Sequence, residues 1–79
     1  MFLEIIEASY LSEYRIALTF NNGVSATVDL KDKLNGEVFA PLNDLSQFQL
    51  FTVKYNTIEW SNGADMAPEY LYELSLENS

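Results

Sequence analysis

The sequence predicts an α+β fold: an antiparallel sheet, built as a three-stranded meander plus a second hairpin, with a short middle helix and a C-terminal helix. Three observations predict it. Apolar residues alternate with polar ones across Tyr14 to Phe20, Val24 to Leu30 and Phe51 to Trp60, the period of half-buried strands. Phe39, Leu42, Leu45 and Phe48 recur every three residues, which suggests 3₁₀ or α-helical turns laid on the sheet. Pro68 then opens a C-terminal segment suited to a first helical turn. With 79 residues the chain allows a single domain, residues 1–79.

Parity sets the expected strand pairings. Ile16, Leu18 and Phe20 are apolar at even positions, as are Val24, Ala26 and Val28. A two-residue Asn22-Gly23 loop would put these rows on opposite faces. A three-residue loop, Asn21 to Gly23, pairs Phe20 with Val24, Leu18 with Ala26 and Ile16 with Val28, and gives one apolar face. Gly23 then takes the left-handed conformation of a G1 bulge.

The same logic places a turn at Leu11-Ser12-Glu13, with Tyr10 opposite Tyr14, Ala8 opposite Ile16 and Ile6 opposite Leu18. A first strand of about Leu3 to Tyr10 joins the same face, leaving Leu3, Ile5 and Ala17 on the reverse. Asp32 to Gly36 reads as a short turn, and Asn43 or Asp44 can cap a short helix at Leu45 to Gln49. In the second hairpin a tight Asn56-Thr57 turn sets Tyr55 opposite Ile58 and Val53 opposite Trp60. Ser61-Asn62-Gly63-Ala64 ends that strand, and a helix follows over Pro68 to Leu74. Ala67 is a poor cap for it; Asp65 can serve in an extra turn.

Composition excludes much chemistry. Twelve acidic residues against four basic ones give a net charge of −8, with no His and no Cys. Disulfides, thiol nucleophiles, imidazole bases and Cys or His metal ligands are ruled out. Nucleic-acid and anionic-lipid binding need Lys and Arg at phosphates, so neither is expected. No window reaches about 18 apolar residues, and the N-terminus lacks a targeting pattern, so a cytoplasmic protein is expected. Hydrophobic residues at 48% argue against disorder. A core this small supplies roughly 3–5 kcal/mol, which leaves room for a homo-oligomer or a partner to add stability. No nucleophile motif is present, and so small a domain rarely encloses a cleft of about 300 Å³, so no enzyme and no cofactor is expected.

The segment Trp60-Ser61-Asn62-Gly63-Ala64-Asp65-Met66-Ala67-Pro68-Glu69-Tyr70-Leu71-Tyr72 resembles the Trp-x-Asn-Gly-x-Asp-x-x-Pro-x-x-Leu-Tyr signature of the bacterial domain-of-unknown-function family 2442. The likeness extends to Phe20-x-x-Gly23, Val28-Asp29-Leu30, Phe39-x-x-Leu42 and Phe48. Ser61 departs from it, where Pro is common. The resemblance implies an α+β fold, no established activity and, by analogy with members discussed in toxin–antitoxin pairs, an antitoxin-like or accessory role.

Four groups of residues are candidates for function. Trp60, Asn62, Gly63, Asp65 and Tyr72 could bind a small polar ligand or a peptide; alternatively, Gly63 and Asn62 build a turn, Asp65 caps and Trp60 packs. Asp29, Asp32, Asn35 and Glu37 form an acidic loop whose spacing fits a Ca²⁺ site badly. Glu69, Glu73 and Glu77 share one helix face and, with Glu59, offer an acidic docking stripe for a basic partner, or simply a solvated face. The tyrosines Tyr10, Tyr14, Tyr55, Tyr70 and Tyr72 suit an interface or, alternatively, half-buried packing at the rim of a thin core; Tyr70 and Tyr72 point in different directions from that helix, so at least one of them faces outward. The favoured reading is a protein-interaction domain whose partner is a small basic protein, with Glu69, Tyr70, Tyr72 and Glu73 as contact residues.

Overall fold

Strand β2 (Arg15–Phe20) lies between β1 (Ile5–Ser12) and β3 (Ser25–Asp29) in an antiparallel sheet of order β1-β2-β3. The computed structural model describes residues 2–77. The β2–β3 register follows parity: Ile16 pairs with Val28 and Leu18 with Ala26. The loop closes with Phe20 N–H donating to Val24 O (2.8 Å) and Gly23 N–H to Phe20 O (3.0 Å). Gly23 has φ +88°, the left-handed region where a Cβ is disfavoured.

The β1–β2 register differs from expectation by two residues. Tyr10 pairs with Ile16 and Ala8 with Leu18, and the turn moves to Glu13-Tyr14, with Ser12 opposite Arg15 and Glu13 at φ +50°. Tyr14 is drawn to the middle segment instead: its ring sits edge-on to Phe48 at 5.3 Å, and its hydroxyl donates to Asn43 O. A shift of two keeps Ala8 and Tyr10 on the core face.

A second correction lies at the start of β1. The register shifts between Ile5 and Glu7, so Ile5 opposes Phe20 and is buried, while Ile6 is 54% exposed. The reverse was expected. An extra residue in one strand inverts parity beyond it, and unbroken alternation cannot foresee that. Asn21 fixes the bulged end: its side chain accepts from Glu4 N–H (3.0 Å) and donates to Phe2 O (2.9 Å).

A 3₁₀ turn at Ala40–Asn43 leads into α1 (Leu45–Phe48). Of the two cap candidates Asp44 serves, accepting from Ser46 N–H at 3.0 Å. Leu42 and Phe48 are buried and Phe39 half-buried; Leu45 is exposed.

The second hairpin pairs β4 (Phe51–Lys54) with β5 (Thr57–Trp60) two residues out of the expected register: Val53 opposes Ile58 and Phe51 opposes Trp60. The turn is Tyr55-Asn56, with φ +53° and +71°. Both central residues of a type I′ turn need positive φ, which β-branched Thr57 resists. Thr57 is instead buried in β5 and donates its hydroxyl to Met66 O. Ile5 N–H donates to Asn56 O (2.8 Å), linking the first sheet to this turn.

Helix α2 (Pro68–Glu77) runs three residues past the expected end and packs beside β3. Among the described residues, Leu71, Leu74 and Ser75 are its buried positions, at the spacing of one helical face. They close a core with Ile16, Leu18, Phe20, Val28, Phe48 and Trp60.

Candidate functional site

Trp60 ends β5 with 2% of its surface exposed. Its Nε1–H donates to Phe48 O at 2.8 Å. Phe48 lies 5.8 Å away, ring centre to ring centre, and Phe39 and Phe51 stand edge-on at 6.4 and 6.3 Å. An indole whose ring is packed and whose only donor is used is a core anchor.

Beyond Trp60 the chain repeats the first hairpin's turn. Trp60 N–H donates to Ala64 O (2.8 Å) and Gly63 N–H to Trp60 O (2.9 Å), as Phe20 and Gly23 do. Asn62 Oδ1 accepts from Ala64 N–H at 3.1 Å, as Asn22 Oδ1 accepts from Val24 N–H at 3.0 Å. Gly63 and Gly23 share φ near +89° and +88°. Asn62 Nδ2 also donates to Val38 O (2.9 Å) and ties the middle segment to the turn.

Asp65 then forms an isolated antiparallel bridge with Glu59. Its carboxylate is exposed and, among the described residues, takes no hydrogen bond, so the expected cap does not form. Tyr72, the last residue of this group, stands half-buried on the helix with its ring edge-on to Phe20 at 5.1 Å.

The outer face of α2 carries the acidic stripe. Glu69, Tyr70 and Glu73 are exposed, Tyr70 at 41%. The two glutamates are four residues apart and so lie one above the other. Tyr70 faces out and Tyr72 in, as their different directions require. The side chain of Glu77 lies outside the described residues. Glu59 is half-buried in β5, and its carboxylate is paired with Lys54 at 3.8 Å. Leu76, 61% exposed, belongs to the same outer face. Ending the helix at Leu74 hid it, although its place three residues after Glu73 was legible.

The acidic loop is not gathered. Asp29 accepts from Lys31 N–H (3.0 Å) and faces the Arg15 guanidinium at 3.8 Å. Among the described residues, no group of three or more acidic side chains is placed to share a metal ion.

Fold and surface together define a small acidic α+β domain with a packed tryptophan and an exposed carboxylate-bearing helix face. The chain belongs to the family described as "Protein of unknown function (DUF2442)", whose model matches residues 5–77. No curated protein and no solved structure matches it. No helix among the described residues is long and apolar enough to cross a membrane.

Proposed function

We propose that this domain binds another protein, a basic one, through the outer face of α2. One observation carries the reading: Glu69 and Glu73 stand exposed beside Tyr70 and, among the described residues, neither has an ion-pair partner. Arg15 and Lys54, two of the four basic residues, are spent on Asp29 and Glu59. An uncompensated anionic face with an amphipathic aromatic group steers a cationic surface and gives it something to pack on. An antitoxin-like or accessory role is the specific form of this reading. The same charge opposes nucleic acid and anionic membrane as partners.

A ligand module around Trp60, Asn62 and Asp65 has less to offer. The indole is buried, and the Asn62 amide is held at both ends by Ala64 N–H and Val38 O. The test is capture from a lysate of the native host at low and high salt, using wild type and the Glu69→Lys/Glu73→Lys variant. Retention of a basic polypeptide by wild type alone, weakened by salt, supports the reading. Equal retention by both proteins counts against it.

A further inference from the structure

We infer that Asn35-Gly36 is a site of spontaneous deamidation, a covalent change that the folded chain directs to this position and away from two identical dipeptides. Every glycine of the chain follows an asparagine: Asn22-Gly23, Asn35-Gly36 and Asn62-Gly63. Such a pair reacts when the glycine backbone nitrogen attacks the asparagine Cγ. The glycine lacks a side chain to hinder that approach.

The fold separates the three by the state of the attacking nitrogen. Gly23 N–H donates to Phe20 O at 3.0 Å and Gly63 N–H to Trp60 O at 2.9 Å, both inside closed turns. The asparagine oxygens there are engaged too, by Val24 N–H and Ala64 N–H. Among the described residues, Gly36 N–H has no hydrogen-bond partner. Asn35 and Gly36 are both exposed, and the Asn35 amide makes one long contact, Nδ2 to Asp32 O at 3.3 Å.

The step balances without any outside oxidant or reductant. The Gly36 N–Cγ bond forms, the Cγ–Nδ2 bond breaks, and ammonia leaves with the amide proton. Water then opens the five-membered imide. Attack at Cγ gives aspartate; attack at the backbone carbonyl gives isoaspartate. Either product makes the chain more acidic by one charge. Isoaspartate also adds a methylene to the main chain between two fixed points: buried Leu34, whose carbonyl accepts from Asn43 Nδ2 (3.1 Å), and Gly36, whose carbonyl accepts from Ala40 N–H (2.8 Å).

The experiment incubates the full chain in warm, mildly alkaline buffer and follows all three sites by peptide mass spectrometry with fragmentation that distinguishes isoaspartate. The expected result is modification at Asn35 well before Asn22 or Asn62, and its loss at that site in the Asn35→Gln variant, which keeps the backbone unchanged. In concentrated urea the three sites should react at similar rates, because the protecting turns are gone. Early modification of Asn22 or Asn62 in the folded protein would overturn the inference. So would the same preference for Asn35 in urea, which would show that the fold does not select the site.

Discussion

The indole N–H of Trp60 donates to the main-chain carbonyl of Phe48 across 2.8 Å, joining the end of β5 to the end of α1 inside the core. This bond couples a side chain of the second hairpin to the backbone of the middle segment, and three phenylalanine rings pack around it. Trp60→Ala should cost about 3–5 kcal/mol. A domain this small has roughly that much stability, so the variant should be unfolded by far-ultraviolet circular dichroism. Trp60→Phe keeps an aromatic ring but leaves a buried carbonyl without its donor, and should lose about 1–3 kcal/mol in a urea titration. A Trp60→Ala protein with the wild-type midpoint would falsify the assignment of Trp60 as a core anchor.

The twin turns predict a matched pair. Gly23 and Gly63 adopt the same left-handed φ, and a Cβ at either would meet nothing within 4 Å. The penalty for alanine is therefore backbone strain alone, about 1–2 kcal/mol at each site. Asn tolerates this region better, so Gly23→Asn and Gly63→Asn should lose less than the alanine variants. Asp65→Ala should stay within about 0.5 kcal/mol of wild type, because the exposed carboxylate caps nothing. Chemical denaturation of the five variants checks all of this, and a loss above 1 kcal/mol for Asp65→Ala would restore the cap.

The first strand separates two neighbours that the sequence makes look alike. Ile5 is buried opposite Phe20, and Ile6 projects outward from the bulge. Ile5→Ala should cost about 2–5 kcal/mol, and Ile6→Ala about 0.5 kcal/mol or less. Reversed costs would mean that β1 runs with unbroken alternation and that the bulge is absent.

These residues show what was legible beforehand. The Asn21 to Gly23 loop followed from parity, because apolar residues on both sides allow only one register with a common face. Asp44 and Pro68 mark helix starts through local chemistry that tertiary contacts did not override. Both hairpin registers that missed did so by two residues, a slip that parity cannot detect because it leaves every face unchanged. The turn conformations that decide them were set elsewhere, by Tyr14 reaching Phe48 and by Thr57 reaching Met66 O. In the candidate ligand site, the turn roles of Asn62 and Gly63 were readable from their residue types. The indole's bond to Phe48 O was not, since it joins residues twelve apart through a contact no local pattern encodes.

The acidic helix face gives the functional prediction. Glu69 and Glu73 are exposed on α2, whereas Leu71 and Leu74 hold the helix to the core. Replacing both glutamates by lysine should therefore leave the fold intact. Glu and Lys have similar helix propensity, and the one expected loss is the first-turn dipole interaction of Glu69, about 0.3–1 kcal/mol. Charges at the rim of an interface act mainly on the encounter rate. With a captured basic partner, the Glu69→Lys/Glu73→Lys variant should associate roughly tenfold or more slowly at low salt. The gap should narrow as salt is added, because exposed charges are screened. Stopped-flow association at several ionic strengths reads both quantities. Equal rates, with no salt dependence in the wild type, would show that the helix face is merely solvated. The binding surface would then have to lie on the sheet, where Arg15 of β2 and Asp29 of β3 already form an exposed ion pair.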